Sequence, residues 1–152
     1  MKRIKFLILI VLIYSCESKR FDNYMKKSNE FYSSGDCDNA LKYVNKAIRI
    51  NDKNEVAYNN RATFYLCFNE IDLALDDINK AIELNGNYFQ AYRNRANLYY
   101  RKGYYEKALK DLQIVYENNF KLENTIKFLI ITNESMGRYS EEIGRASCRE
   151  RV

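Results

Sequence analysis

The chain has 152 residues, of which 47% are hydrophobic and 30% are charged, so it can bury a core and is not disordered by composition. It contains no His, which removes the commonest general base and the commonest metal ligand, and we assign no catalytic residue, metal site or cofactor. The net charge of +5 comes from the two ends, because residues 17–142 hold 19 basic and 19 acidic side chains. This neutral body argues against nucleic acid as a partner.

The first sixteen residues, MKRIKFLILIVLIYSC, have the layout of a secretory leader. Three basic residues precede an apolar run that is shorter than the roughly 20 residues of a membrane-spanning helix. The ending Ile13-Tyr14-Ser15-Cys16 resembles the bacterial lipobox, which implies a signal peptide over 1–15, lipidation of Cys16 and a short tether over 16–20. An ordinary signal or an uncleaved anchor is the alternative. The resemblance predicts a lipoprotein in the bacterial cell envelope, anchored to the membrane and facing the periplasm or the cell surface.

A repeat of 34 residues fills the middle of the chain, since AYNNRATFYL at 57–66 returns as AYRNRANLYY at 91–100. Apolar and small residues recur at spacings of three and four, which places them on one face of a helix. Each repeat is therefore predicted to be a helix hairpin that must stack on its neighbours. The columns are Tyr24/Tyr58/Tyr92/Ile126, Ser28/Ala62/Ala96/Ile130, Phe31/Tyr65/Tyr99, Ala40/Ala74/Ala108, Val44/Ile78/Leu112 and Ala47/Ala81/Val115, with a turn at Gly35/Asn69/Gly103/Gly137.

This pattern resembles the tetratricopeptide repeat (TPR) and covers residues 21–142. The resemblance implies an all-α superhelix of stacked helix hairpins, with repeats at 21–54, 55–88 and 89–122 and a partial repeat at 123–142. Residues 143–152 break the pattern and resemble a translated sequencing adapter, so we interpret them as an artefactual tail and expect the natural protein to continue. The family's apolar position after the first aromatic holds Lys27, Arg61 and Arg95, whose stems should pack while their charged heads reach water.

The first helix of each repeat lines the concave face of such a superhelix, and the resemblance therefore implies a groove for an extended partner peptide. Amides can bond a peptide backbone, and Tyr and Arg are frequent anchors at interfaces. Plain solvated helix surface is the alternative. The groove residues are Asn29, Tyr32, Asn59, Thr63, Arg93, Asn97, Tyr100 and Arg101, and the further lining positions are Asp22, Met25, Ser33, Val56, Leu66, Cys67 and Gln90. Exposure is expected for the amides Asn29, Asn59 and Asn97 and for the anchors Arg93, Tyr100 and Arg101.

Some family members hold the C-terminal carboxylate of a chaperone with paired Lys, Asn and Arg side chains. The two Asn positions are kept here as Asn29 and Asn60. The three cationic positions hold neutral residues, and a cation lies only one residue away, so this clamp is not expected. The residues at the cationic positions are Met25, Gln90 and Asn94, and the displaced cation is Arg93.

Charge and cysteine positions give two further expectations. The second repeat is acidic and the third is basic, so we expect Asp72, Asp76 and Asp77 to pack against Arg93, Arg95 and Arg101 of the next helix; a charged binding patch is the alternative. Cys37 falls in a core column and should be a small buried hydrophobe, while Cys67 should face the groove. Their spacing leaves open whether they form a disulfide.

The function predicted from the sequence is a lipid-anchored scaffold that binds a protein or peptide partner and catalyses no reaction. One alternative is a non-catalytic accessory of a glycan or peptidoglycan machine that binds polysaccharide through Tyr32, Tyr65, Tyr99 and Tyr100. Another is the repeat part of a larger protein, such as an enzyme whose catalytic domain lies beyond Glu142.

Overall fold

The computed structural model describes the backbone of residues 2–118 and 120–149, and the surroundings of the side chains at 15–118, 120–121 and 123–137. Within these ranges the chain forms seven α-helices and no strand, as the repeat predicted. The helices are α1 (Lys2–Ser33), α2 (Cys37–Ile50), α3 (Glu55–Tyr65), α4 (Ile71–Leu84), α5 (Phe89–Arg101), α6 (Tyr105–Glu117) and α7 (Leu122–Arg149), with a 3-10 turn at Leu66–Phe68 after α3.

The first three hairpin turns lie where the repeat placed them. Gly35 and Gly103 have φ angles of +84° and +75°, in the left-handed region that glycine adopts without steric cost, and Asn69 takes the same role with φ 59°. Asp36 then caps α2, because its carboxylate accepts the Asn39 side-chain amide at 2.7 Å and the Asn39 backbone N–H at 3.0 Å. These two bonds hold the pKa of Asp36 below its ordinary value.

The predicted columns of small and aliphatic residues are buried in all three complete hairpins, whereas the aromatic columns Tyr24/Tyr58/Tyr92 and Phe31/Tyr65/Tyr99 are half-buried. The chain divides into two units, Met1–Leu84 and Asn85–Val152, each with its own core. In the first unit Ala40, Val44 and Phe64 belong to one buried cluster. In the second unit Ala96, Ala108 and Leu112 form another, and Phe128 and Leu129 of α7 pack against it. Small residues at these contacts let the helices of one hairpin approach closely, which is why Ala recurs in the columns Ala62/Ala96, Ala40/Ala74/Ala108 and Ala47/Ala81.

The predicted turn at Gly137 is wrong, because α7 continues through it as one helix to Arg149. Residues 143–149 are thus the end of α7, and the structure describes nothing of their side chains. The predicted burial of Ile126 and Ile130 is also wrong, since they are 39% and 53% exposed. In the third hairpin Ala96, of the same column as Ile130, packs against Ala108 and Leu112 of the returning helix. No returning helix covers this face of α7 among the described residues.

Candidate functional site

An Arg–Asp ion pair joins the two helices of the second hairpin, and an equivalent pair joins the two helices of the third. Arg61 Nε and Nη2 each donate to Asp77 at 2.7 Å, and Arg95 bonds Asp111 in the same way at 2.8 Å. The Arg61 and Asp77 side chains are only 20% and 8% exposed. The expectation that these arginine heads reach water is wrong, and so is the pairing of Asp77 or Arg95 with a neighbouring repeat. The hydrogen bond to Asp77 raises the pKa of Arg61, and that to Asp111 raises the pKa of Arg95.

The first hairpin replaces this ion pair with stacked rings and lysines. Tyr43 stands where the later repeats have Asp77 and Asp111, and its ring stacks on Phe31 at 5.3 Å between centroids. Lys27 and Lys46 place their ammonium groups 5.4 and 4.8 Å from the centre of the Tyr43 ring. Cation–π contact therefore takes the place of the carboxylate. These pairs fix helix packing, so none of them is a candidate site.

Asn29 and Asn60, which the sequence placed at the two Asn positions of the clamp, meet in the structure. Asn60 Nδ2 donates to Asn29 Oδ1 at 3.0 Å, and this bond joins the exposed faces of α1 and α3. Each amide keeps further donors and acceptors that the other does not use. Tyr32 lies one turn beyond Asn29, with its ring 4.8 Å from that of Phe64 and 39% of its surface exposed. The result is a polar face that offers donors, acceptors and an aromatic ring, and the exposed ion pair of Lys26 and Glu30 lines the same pocket as Asn29.

Asn59 does not belong to this exposed face. It is 5% exposed, and its backbone carbonyl accepts a hydrogen bond from Thr63 Oγ1 at 3.1 Å. The prediction of an exposed Asn59 amide is wrong, because a helix turns by about 100° per residue and the chain presents Asn60 instead. Thr63 is half-buried and uses its hydroxyl within its own helix. In this unit the predicted groove is therefore reduced to Asn29 and Tyr32, joined by Asn60.

The second unit presents Arg93, Asn97 and Arg101 along α5, at positions four residues apart. Asn97 and Arg101 are exposed, as predicted, while Arg93 is half-buried. The Arg93 Nε atom is shielded from solvent and has no hydrogen-bond partner. A buried donor without an acceptor is rare in folded proteins, so Arg93 differs from the satisfied Arg95 two residues away.

Tyr100 packs inside the fold, so the prediction of an exposed anchor at this position is wrong. Its hydroxyl lies 3.0 Å from Ser135 Oγ, and its ring meets Tyr105 and Phe128 edge-on at 5.4 and 5.6 Å. These contacts join α5 to α6 and α7. The sequence did not show them, because Ser135 lies 35 residues from Tyr100 in the partial repeat, where α7 continues past the predicted turn.

Lys121 is a residue of this surface that the sequence analysis missed. Its Nζ donates to Gln90 Oε1 at 3.2 Å, and Gln90 Nε2 donates in turn to Asn94 Oδ1 at 2.8 Å. Gln90 and Asn94 occupy two cationic positions of the clamp. Lys121, from the turn before α7, therefore places a positive charge next to these neutral amides. Only the tertiary structure brings this turn beside α5, since 31 residues separate Lys121 from Gln90.

Cys37 and Cys67 form a disulfide across 30 residues, which answers the question that their spacing left open. The bond joins the start of α2 to the 3-10 turn after α3. The prediction of a buried small hydrophobe at Cys37 is wrong, because Cys37 is half-buried and disulfide-bonded, and Cys67 is exposed. Cys16 lies exposed on α1 and is the free cysteine among the described residues.

Two of the tyrosines that were candidates for stacking on a sugar, Tyr65 and Tyr99, already contact arginine side chains. Arg61 lies 5.9 Å from the centre of the Tyr65 ring, and Arg95 lies 5.9 Å from that of Tyr99. Within the described ranges no group of three or more His, Cys, Asp or Glu is placed to bind a metal ion. In the same ranges no helix combines the length and apolar character needed to cross a membrane.

Comparison with known proteins supports the fold. Residues 21–54 match the family model described as tetratricopeptide repeat. The first TPR domain of Spaghetti (RPAP3), bound to the HSP90 peptide SRMEEVD, is 26% identical with a TM-score of 0.73, over 79% of this chain and 98% of that one. The TPR2B domain of yeast Sti1, in complex with an Hsp70 peptide, is 22% identical with a TM-score of 0.72, over 76% and 98%.

A bacterial structure is similar as well. Pseudomonas aeruginosa pilF is 18% identical with a TM-score of 0.74, over 80% of this chain and 55% of that one. Comparison with curated protein sequences gives no match. The protein is therefore an all-α protein with the tetratricopeptide-repeat fold, and its first repeat also matches the sequence model of that family.

Proposed function

We propose that the protein is a non-catalytic module that binds an extended segment of a partner protein and is anchored to a bacterial membrane through lipid on Cys16. The observation that carries the proposal is that each unit, taken by itself, presents polar side chains on the first helix of a repeat. In the first unit the exposed Asn29 bonds the half-buried Asn60, and in the second unit Asn97 is exposed on α5; these amides offer both donors and acceptors, which a peptide backbone requires.

Two similar structures support peptide binding as the activity of this surface. The Spaghetti domain holds the peptide SRMEEVD, and the yeast domain is in complex with an Hsp70 peptide. Our chain has neutral Gln90 and Asn94 where the family's clamp has cations. We therefore propose a partner other than a cytosolic chaperone tail.

The leader, the exposed Cys16 and the disulfide together support a location outside the cytoplasm. The lipobox-like ending places cleavage just before Cys16, whose thiol is free to carry an acyl group. The Cys37–Cys67 bond is of the kind that persists in oxidising compartments. We propose that the protein scaffolds an envelope complex from the periplasmic or the outer surface.

The peptide-binding proposal is tested by capture of a partner from envelope extract. We expect the double variant Arg93→Ala/Asn97→Ala to melt like the wild type but to bind its partner at least about thirtyfold more weakly, as loss of interface anchors does. The matched control is Lys110→Ala/Gln113→Ala on α6, which removes one exposed cation and one exposed amide elsewhere. A partner that both variants retain as well as the wild type would falsify the assignment of this surface.

The anchor is tested by the intact mass of the native protein. We expect loss of residues 1–15 and a gain in mass that corresponds to acyl chains on Cys16, because two or more chains give stable anchoring where one does not. In the control variant Cys16→Ser the protein should leave the membrane fraction. A Cys16→Ser protein that remains lipidated and membrane-bound would contradict the proposal.

A further inference from the structure

The first hairpin carries more cations along the outer side of its second helix than the later hairpins do. Lys42, Lys46 and Arg49 are four and three residues apart, which places them on one stripe of α2. The residues at the same positions of the second and third repeats are Asp76, Lys80 and Glu83, and Lys110, Ile114 and Glu117. The stripe therefore holds three positive charges on α2 but one on α4 and one on α6, where acidic residues join it.

The first helix extends this charged stripe across the hairpin. Arg20, Tyr24 and Lys27 are four and three residues apart and share one side of α1. Lys46 of α2 reaches the same side, since its Nζ lies 5.6 Å from the centre of the Tyr24 ring. The stripes of the two helices therefore meet where α1 packs on α2, and they form one continuous surface.

Three cations of this surface are exposed to solvent. They are Arg20, Lys42 and Arg49, here called the basic face. Lys27 and Lys46 are half-buried against the Tyr43 ring and add positive charge behind it. The ion pairs described in this unit join other residues, namely Lys26–Glu30, Arg61–Asp77 and Lys80–Glu83. Within the described part of the chain, no ion pair neutralises the basic face.

Cys16 lies on the same side of α1 as the basic face. It precedes Arg20 by four residues, so the two side chains leave the helix about one turn and 6 Å apart. The Cys16 side chain is exposed. A lipid on its sulfur therefore brings a membrane within one Debye length of Arg20, which is about 10 Å at 0.1 M salt.

We propose that the basic face lies on anionic phospholipid headgroups and orients the anchored protein. This inference rests on the lipid anchor of the proposed function and adds a second membrane contact to it. Each Lys or Arg next to an anionic surface strengthens binding roughly fivefold, and basic residues reinforce a lipid anchor. Guanidinium and ammonium groups donate to phosphate oxygens, so the phosphate of a lipid headgroup is a suitable acceptor.

This orientation leaves the polar face of α1 and α3 open to a partner. Asn29 follows Arg20 by nine residues, so a rotation of about 100° per residue places it about 180° around α1 from Arg20. With the basic face on the membrane, Asn29 and its partner Asn60 point away from the lipid. A segment of another protein then reaches these amides from the aqueous side.

The test uses the native protein reconstituted into vesicles of phosphatidylcholine, alone or mixed equally with phosphatidylglycerol. A membrane-impermeant amine reagent labels exposed lysines, and peptide mass spectrometry measures the rate at each one. We expect Lys42 to be labelled at least about fivefold more slowly in anionic than in neutral vesicles. Lys26, turned about 120° away from Arg20 on α1, should be labelled equally in both. Molar salt should restore the labelling of Lys42, because it shortens the Debye length to about 3 Å.

Two matched variants show which cations cause the protection. Arg20→Gln/Arg49→Gln keeps Lys42 as the reporter, and its rate difference between the two vesicles should fall below about twofold. Lys107→Gln/Lys127→Gln removes two exposed cations of the second unit and should keep the full difference. Both variants should melt like the wild type, because the replaced side chains are exposed. Protection that survives in the first variant, or disappears in the second, would overturn the basic face.

The outcomes separate this inference from the proposed function, because the intact mass of the same preparation reports the lipid. A lipidated protein whose Lys42 is labelled equally in both vesicles would overturn the membrane contact and leave the anchor in place. An unlipidated protein that still shows the difference would refute the anchor and support the contact, and one without the difference would refute both. Protection of Lys42 by soluble dextran sulfate but not by anionic vesicles would assign the face to an acidic polymer and overturn the proposal.

Discussion

Arg95 and Asp111 are joined by two hydrogen bonds of 2.8 Å that tie α5 to α6 inside the third hairpin. Arg61 and Asp77 repeat this pair in the second hairpin with bonds of 2.7 Å. The arginine of each pair occupies the position after the first aromatic residue, which the family usually fills with an apolar residue. The ion pair therefore substitutes for apolar contact between the two helices of a hairpin.

We expect Asp111→Asn to destabilise the protein by about 3–5 kcal/mol, because it leaves the Arg95 guanidinium half-buried without its counter-charge. Chemical denaturation measures the free energy of unfolding. The matched control is Glu123→Gln, which breaks the exposed pair with Lys127 and should cost less than about 1 kcal/mol. Equal costs would mean that the Arg95–Asp111 pair is not a buried contact.

Ala74→Leu and Ala96→Leu should each destabilise the protein by about 1–3 kcal/mol. Both alanines are fully buried where two helices of a hairpin meet, so the added carbons have no space. Lys53→Leu, at an exposed position, is the control in the same thermal melts. If the alanine variants have the same Tm as the control, Ala74 and Ala96 do not lie at close helix contacts.

Reduction of the Cys37–Cys67 bond should lower the free energy of unfolding by about 2–4 kcal/mol, since the bond restricts the unfolded chain. The double variant Cys37→Ser/Cys67→Ser should melt like the reduced wild type and should not respond to reductant. Thiol titration of the native protein provides the check. Reactive thiols at Cys37 and Cys67 before reduction, or identical melts with and without reductant, would contradict the pairing.

Deletion of residues 143–152 should leave stability and partner binding unchanged, because this segment breaks the repeat and resembles a translated adapter. Thermal melting of the shortened and full chains measures the effect. A lower Tm after deletion would show that the end of α7 contributes to the fold, and would make Cys148 a residue that needs a structural role.

The sequence by itself determined the hairpins and their cores. A period of 34 residues places Ala, an aliphatic residue and a small residue on one face of each second helix, and the structure buries these columns in all three hairpins. The same pattern placed the turns at Gly35, Asn69 and Gly103, where a left-handed backbone is required. Local periodicity suffices here, because each helix packs mainly against its neighbours in the chain.

Only the tertiary structure decided how individual polar side chains are used. The sequence predicted a charged head in water for Arg95 and an exposed groove position for Arg93, but Asp111 bonds Arg95 and Arg93 keeps a buried donor without an acceptor. The sequence also predicted an exposed Asn59, although Asn59 is buried and its neighbour Asn60 bonds Asn29. A repeat pattern fixes which face of a helix turns inward, whereas hydrogen bonding depends on atoms that other helices bring within about 3 Å.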